Sequence, residues 1–277
     1  MEPWIETYRG AASPWECDVT EHFTMGFYFD RIAMAEAALA EGLGLLNTLR
    51  GGRFARCFDV RLVRELHAGS AFHIESAALG DGDDLHLGHR VVNSASGEIA
   101  TWFKARWEGC AARLPRERIG VWDGPQFATW PQPKGLTGLI PSTAGRVQPG
   151  DLDEFGRMGL PGMIHKFSDA AVQFGAAIGL TADYIKTARR SFSAFELRLR
   201  IARWPKLGDA YCIDTGLAHL GNTSLRYLHV MRDPKTGKEI ARMDRYGVQL
   251  DLDARRPAPL APELRRRAQC LLLSMDP

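Results

Sequence analysis

The chain has 277 residues with a formal net charge of +2, and 45% of them are hydrophobic and 25% charged. This is ordinary globular composition, enough for one large domain or two small ones, and the small charge excludes nucleic acid as the main partner. Five cysteines without a CxxC pair exclude a disulfide scaffold and a zinc ribbon and fit a reducing cytoplasm. No apolar run approaches the roughly 20 residues that cross a bilayer, and the start Met1-Glu-Pro-Trp-Ile-Glu6 has neither the basic nor the apolar region of a secretory leader.

In chain order, residues 7–18 (TYRGAASPWECD) form a short extended segment. Tyr28, Ile32, Ala35, Leu39, Leu43 and Leu46 then recur at spacings of three and four, which predicts a helix from about Phe27 to Leu46, with Gly44 near its end. Strands follow at Val60–Arg64, Phe72–Glu75, Leu85–Val91 and Ala100–Trp107, with Asn93–Gly97 as a hairpin turn. Residues 112–141 are interrupted by Pro115, Pro125, Pro131, Pro133 and Pro141 and by four glycines, the composition of a surface linker. A second helix begins near Pro161, buries Met163, Phe167, Ala170, Phe174 and Ile178, and stops at Gly179. Strands at Leu197–Ile201, Tyr211–Asp214, Leu225–Met231 and Arg245–Leu250 complete the second half, with Asp233–Gly237 as its hairpin turn. From Arg255 the chain is rich in proline and arginine.

The two halves repeat each other. At one fixed offset Gly10 falls on Gly145, Pro14 on Pro149, Asp18 on Asp153, Ala35 on Ala170, Gly44 on Gly179 and Leu45 on Leu180. The offset then drifts as loop lengths change, and His89 meets His229 and Gly97 meets Gly237. The expected organisation is a first repeat over 1–111, a linker over 112–141, a second repeat over 142–254 and a tail over 255–277. One helix and a run of hairpin-linked strands per repeat predict an α+β fold with each antiparallel sheet packed on one long helix.

The chemistry-bearing stretch is Asp18-Val-Thr-Glu-His22-Phe-Thr24-Met25-Gly-Phe-Tyr28. It sets a carboxylate and an imidazole before a helix start, where unpaired N–H groups carry partial positive charge. Such donors can hold an oxyanion while a carboxylate attacks an acyl carbon or activates water. The set suits a thioester, whose thiolate leaves without a strong acid. On local spacing alone, Asp18 fits a turn cap equally well.

This pattern, duplicated and combined with one helix per curled sheet, resembles the hotdog-fold acyl thioesterases of the 4-hydroxybenzoyl-CoA type. More narrowly it resembles the tandem, double-hotdog thioesterases related to acyl-ACP thioesterases. The resemblance covers nearly the whole chain outside the linker and the tail. That family's motif is D-x-x-G-H-x-N-x-x-x-Y; Asp18, His22 and Tyr28 match it, while Glu21 stands for the glycine and Thr24 for the asparagine. The second copy keeps Asp153 and Gly156 but has Arg157 for the histidine and Met163 for the tyrosine. The resemblance implies an acyl-CoA or acyl-ACP thioesterase that needs no cofactor. Asp18 would be nucleophile or general base, His22 would orient it or the water, and the Met25 N–H would donate to the oxyanion, with Thr24 beside it. Tyr28 lies on the apolar stripe and fits a core role as well as a site role. Asp153 and Arg157 would belong to the second copy's site, Arg157 as an anion contact or a surface salt bridge.

Other residues carry weaker signals. Cys17 adjoins Asp18 but points to the opposite face of an extended segment. Glu36 sits at the edge of the helix stripe, where it is a buried base or a snorkelling side chain, and Glu154 is expected to be exposed. His67, His73, His86, His165 and His219 show no ligand spacing, so no metal is expected. Phosphate-binding glycine motifs are absent. Rival readings are a hydratase or dehydratase of acyl thioesters and a non-catalytic acyl-thioester-binding protein, in either case a monomer or homodimer.

Overall fold

The computed structural model describes residues 3–18, 20–51, 54–80, 82–110 and 112–274. It divides into two compact units, Met1–Phe127 with Asp153–Phe155 and Gly159–Ile164, and Ala128–Leu152 with Gly156–Met158 and His165–Pro277. Among the described residues no helix is long and apolar enough to cross a membrane.

The first unit runs β1 (Ile5–Ala11), a 3-10 turn at Pro14–Glu16, α1 (Met25–Gly42), α2 (Leu46–Arg50), β2 (Cys57–Leu62), β3 (Ala71–Gly80), β4 (Leu85–Asn93) and β5 (Ile99–Trp107). Its strands pair antiparallel in the order β1-β3-β4-β5-β2. From α1 the residues Tyr28, Phe29, Ile32, Ala35 and Leu39 are buried, and Phe29 meets Phe58 and Phe103 edge-on at 5.5 and 5.2 Å. Each of the larger side chains contributes roughly 1.5–3 kcal/mol by leaving water, so packing holds this helix more than its intrinsic propensity does. Its end is set at Gly44, whose φ of 73° lets the Leu45 N–H turn back to Ala40 O at 2.7 Å. The apolar spacing continues past this point into α2, which is why the sequence predicts one longer helix.

The second unit holds β6 (Ile140–Arg146), a 3-10 turn at Pro149–Asp151, α3 (Leu160–Ile178) from His165 onward, α4 (Ala182–Ala188), β7 (Arg190–Ile201), β8 (Ala210–Leu220), β9 (Ser224–Arg232), β10 (Glu239–Asp251), β11 (Arg256–Pro257) and α5 (Pro262–Gln269). Its sheet runs β7-β10-β9-β8-β6, with β11 on β10. Phe167, Ala170, Phe174 and Ile178 of α3 are buried, as their spacing predicts. The strands are longer than the alternation suggests because bulges interrupt it between Leu217 and His219 and between Tyr246 and Gly247. At the second bulge a Cβ on Gly247 would lie 2.8 Å from Ser193 O, so only glycine fits that close approach.

The repeats share small devices. Asn93 Oδ1 accepts the Ala95 N–H at 2.9 Å, and Asp233 Oδ1 accepts the Lys235 N–H at 2.8 Å, in matching hairpin turns. Glu16 of the first 3-10 turn is ion-paired with Arg31 of α1, and Asp151 of the second pairs with Lys166 of α3 at 2.9 Å. These latches fix each turn to its helix just before the Asp18 and Asp153 positions.

The proline-rich stretch is pinned rather than loose. Gly120 N–H donates to Ala78 O at 2.7 Å. Further on, Trp130 lies over Arg198 at 4.8 Å and stacks on Tyr246 at 6.2 Å. The C-terminal stretch also folds: Leu260, Leu264 and Ala268, four residues apart, are buried in one cluster with Phe174, Leu217 and Tyr227. Its arginines are engaged locally, Arg266 and Arg267 with Glu263 at 2.6 and 2.9 Å and Arg265 with Gly221 O at 2.7 Å.

Candidate active site

Between Glu16 and α1 the chain closes into a tight turn around Asp18. One carboxylate oxygen, Oδ1, accepts from the Thr20 N–H at 2.8 Å, the Thr20 hydroxyl at 2.6 Å and the His22 N–H at 3.2 Å. The backbone closes the same turn, with the Asp18 N–H donating to His22 O and the Glu21 N–H to Asp18 O, both at 2.9 Å. Asp18 is exposed, and its Oδ2 takes none of those three bonds. The carboxylate is thus held by one oxygen and presents the other. Glu21 passes through the turn at φ 65°, a left-handed conformation that costs a side chain about 1 kcal/mol or more. The second copy has Gly156 there at φ 71°.

Thr24 is the N-cap of α1, extended at φ −79° and ψ 153°, and its N–H donates to Glu16 O at 3.0 Å. The N–H groups of Phe27 and Tyr28 turn back to Thr24 O at 3.1 and 3.3 Å. The N–H groups of Met25 and Gly26 have no acceptor inside the helix and stand at its positive end.

His22 ties this turn to the segment leading into β3. Its Nδ1 lies 3.0 Å from Thr20 Oγ1. The single hydroxyl proton of Thr20 goes to Asp18, so His22 Nδ1 carries a proton and donates to Thr20. On the other edge, His22 Nε2 lies 3.0 Å from Glu65 Oε2. His22 and His67 are partners in an antiparallel bridge, with rings 5.2 Å apart. Thr20, Glu65 and His67 are therefore members of this site that the sequence reasoning missed. The alternation Glu65-Leu66-His67, with Leu66 buried, was the available signal that the two polar residues share a face. Which residue they face depends on a strand pairing that no local pattern specifies.

The remaining candidates fall elsewhere. Tyr28 points into the core, where its hydroxyl faces Thr101 and the Leu66 backbone and burial raises its pKa. Cys17 donates to Ser13 O at 3.5 Å, and burial, reinforced by Asp18, Glu16 and Glu21, pushes its thiol up, away from a nucleophilic thiolate. Glu36 is buried and faces His89, with 3.7 Å between Oε1 and Nε2. Its helix position lies about 16 Å along α1 from Met25, so it does not join Asp18. Behind it His89 Nδ1 meets Ser76 Oγ at 2.7 Å, and Ser76 meets Thr7 Oγ1 at 2.7 Å. In the second repeat His229 Nδ1 meets Thr215 Oγ1 at 2.8 Å and packs on Phe167. Burial first, then the Arg245 charge, pushes His229 down to about 3.

In the second copy Asp153 Oδ1 accepts the Phe155 N–H at 3.0 Å, and Glu154 is exposed. Arg157 lies over Trp204 at 3.8 Å and is the partner of Lys206 in an antiparallel backbone bridge. Matching backbone bonds, Phe23 N–H to Leu66 O at 2.8 Å and Met158 N–H to Pro205 O at 2.7 Å, align the two copies. By that alignment Arg157, Trp204 and Lys206 stand where His22, Glu65 and His67 stand in the first.

Residues 147–268 match the family model of the thioesterase-like superfamily. No curated protein sequence matches the chain. Among solved structures, a protein of Lactobacillus plantarum described as an oleoyl thioesterase superposes with a TM-score of 0.69 at 11% identity, covering 90% of this chain and 98% of its own. An acyl-ACP thioesterase of Bacteroides thetaiotaomicron superposes with a TM-score of 0.68 at 12% identity, covering 88% and 98%. The 12:0-ACP thioesterase of Umbellularia californica gives 0.58 at 13% identity, covering 92% and 95%. The chain therefore has the α+β double-hotdog fold expected from its sequence, and its second repeat matches the thioesterase-like superfamily.

Proposed function

We propose that the protein hydrolyses acyl thioesters carried by coenzyme A or acyl carrier protein, with the chemistry in the first repeat. The observation that carries this reading is the Asp18 carboxylate, held through Oδ1 by three donors in the turn that leads into α1. Anchoring one oxygen fixes the plane of the carboxylate, so Oδ2 is preorganised as nucleophile or general base. In the general-base course, Oδ2 takes a proton from water while the water oxygen bonds the acyl carbon. The N–H groups of Met25 and Gly26 hold the oxyanion, a contribution typically worth a few kcal/mol of barrier. Collapse breaks the C–S bond, and the proton passes from Asp18 to the departing thiolate. Thr20 and His22 position Asp18 through the shared hydroxyl. The double-hotdog fold and the thioesterase-like second repeat support this reaction class.

The test is thiol release across aliphatic and aromatic acyl-CoAs and acyl-ACPs, with crotonyl-CoA hydration measured beside it. Turnover on at least one thioester, without hydration, is the expected result. Hydration of crotonyl-CoA without thiol release would replace this reading with the hydratase one. Saturable acyl-thioester binding with neither reaction would make the protein a binding module.

A further inference from the structure

We propose that His22, Glu65 and His67 form a site for a divalent transition-metal ion of the zinc class. The ligand atoms would be the two Nε2 nitrogens and a Glu65 carboxylate oxygen, with the fourth position open to water. One ligand atom from each of the three residues lies within 4.8 Å of the others. Glu65 Oε2 is 3.0 Å from His22 Nε2 and 4.0 Å from His67 Nε2. Tetrahedral ligands about 2.1 Å from one ion sit about 3.4 Å from each other, so small side-chain rotations complete the geometry.

His22 Nδ1 donates to Thr20 Oγ1, whose own proton is committed to Asp18. His67 Nδ1 faces Glu21 O at 3.3 Å, and a carbonyl only accepts. Each ring thereby turns its Nε2 edge toward Glu65. His22 Nε2 is buried and makes no hydrogen bond there, although the carboxylate oxygen is 3.0 Å away. Outer hydrogen bonds that fix ring tautomers are also the usual support of imidazole metal ligands. Two histidines and a glutamate with an open position form a known donor set for zinc. In the second copy Arg157, Trp204 and Lys206 take these positions, a set without a histidine or carboxylate to ligate a metal ion.

This inference stands apart from the thioesterase reading, because its primary readout is metal binding. The full chain, stripped with a chelator, is titrated with Zn²⁺ by calorimetry and with Co²⁺ by visible absorption. One ion per chain and a Co²⁺ spectrum of low coordination number are expected. Glu65→Gln and His67→Ala should each weaken binding by on the order of 100-fold, whereas Lys206→Ala should leave it unchanged. Circular dichroism of each variant separates ligand loss from misfolding. Where a variant does not fold, the wild-type stoichiometry and Co²⁺ spectrum decide. Absence of saturable binding to the wild type, or equal binding in folded Glu65→Gln and His67→Ala, would overturn the inference. Thioester turnover with no metal binding would overturn it alone, and metal binding with no turnover would overturn only the functional reading.

Discussion

The first and second turns share a backbone and differ in what they present. Both place an aspartate in an Asx-type turn after a 3-10 segment latched to the following helix. In the first, polar groups run from Asp18 through Thr20 and His22 to Glu65. In the second, Arg157 stacks on Trp204, a cation–π contact that fills the corresponding space. Duplication preserved the scaffold while the side chains diverged, so shared backbone geometry is no evidence of shared chemistry. The helices differ in the same way. Glu36 faces His89 in the first repeat. The duplicated position in the second is Ala171, and Phe167 packs on His229.

Importing the second turn into the first breaks the comparison most severely. His22→Arg should lower kcat/KM by roughly 100-fold, read by thiol release, since it removes the group that positions Asp18 through Thr20. The latches come next. Arg31→Ala leaves the buried Glu16 carboxylate without its partner and should cost about 2 kcal/mol in urea unfolding. The equivalent Lys166→Ala should cost less, because Lys166 and Asp151 are more exposed than Arg31 and Glu16.

The buried histidine of the second repeat gives a pH signature. His229 is held near 3 by burial and the Arg245 charge, below the value of about 6.5 it takes when unfolded. Between those values the unfolded chain binds the extra proton. The stability contribution is therefore complete above about pH 6.5 and is lost as pH falls toward 3. This one group accounts for a slope of about 1.4 kcal/mol per pH unit within that window. Urea melts between pH 7 and pH 4 should lose stability more steeply in the wild type than in His229→Gln, with the difference between the two approaching this slope.

The smallest effects are those at the left-handed position. Glu21→Gly should stabilise the protein by about 1 kcal/mol or less by relieving the strained φ. Gly156→Ala should destabilise it by a similar amount, because the second turn then acquires the same strain. Opposite signs from thermal unfolding would confirm that the two turns are one structure with different residues.

The repeat, the helices and most strand cores were legible because periodic apolar residues and paired glycines leave a local trace. Gly44 and Gly179 mark both helix ends, and Asn93 and Asp233 both hairpins. The full strand lengths were hidden by bulges at Leu217/His219 and Tyr246/Gly247, which reset the alternation. The folded C-terminal segment was masked by arginines around its three buried residues. At the candidate site Asp18 and His22 were legible as a motif, and so was the turn-cap role of Asp18. Glu65 and His67 were not, since they reach His22 through a bridge between distant segments.

The central claim is that the chemistry belongs to the first turn. Thiol release by Asp18→Asn and Asp153→Asn, measured side by side with the wild type on its best acyl thioester, tests it directly. A loss of roughly 100-fold or more is expected for Asp18→Asn and of less than about tenfold for Asp153→Asn. Full activity in Asp18→Asn, or a loss confined to Asp153→Asn, would contradict it.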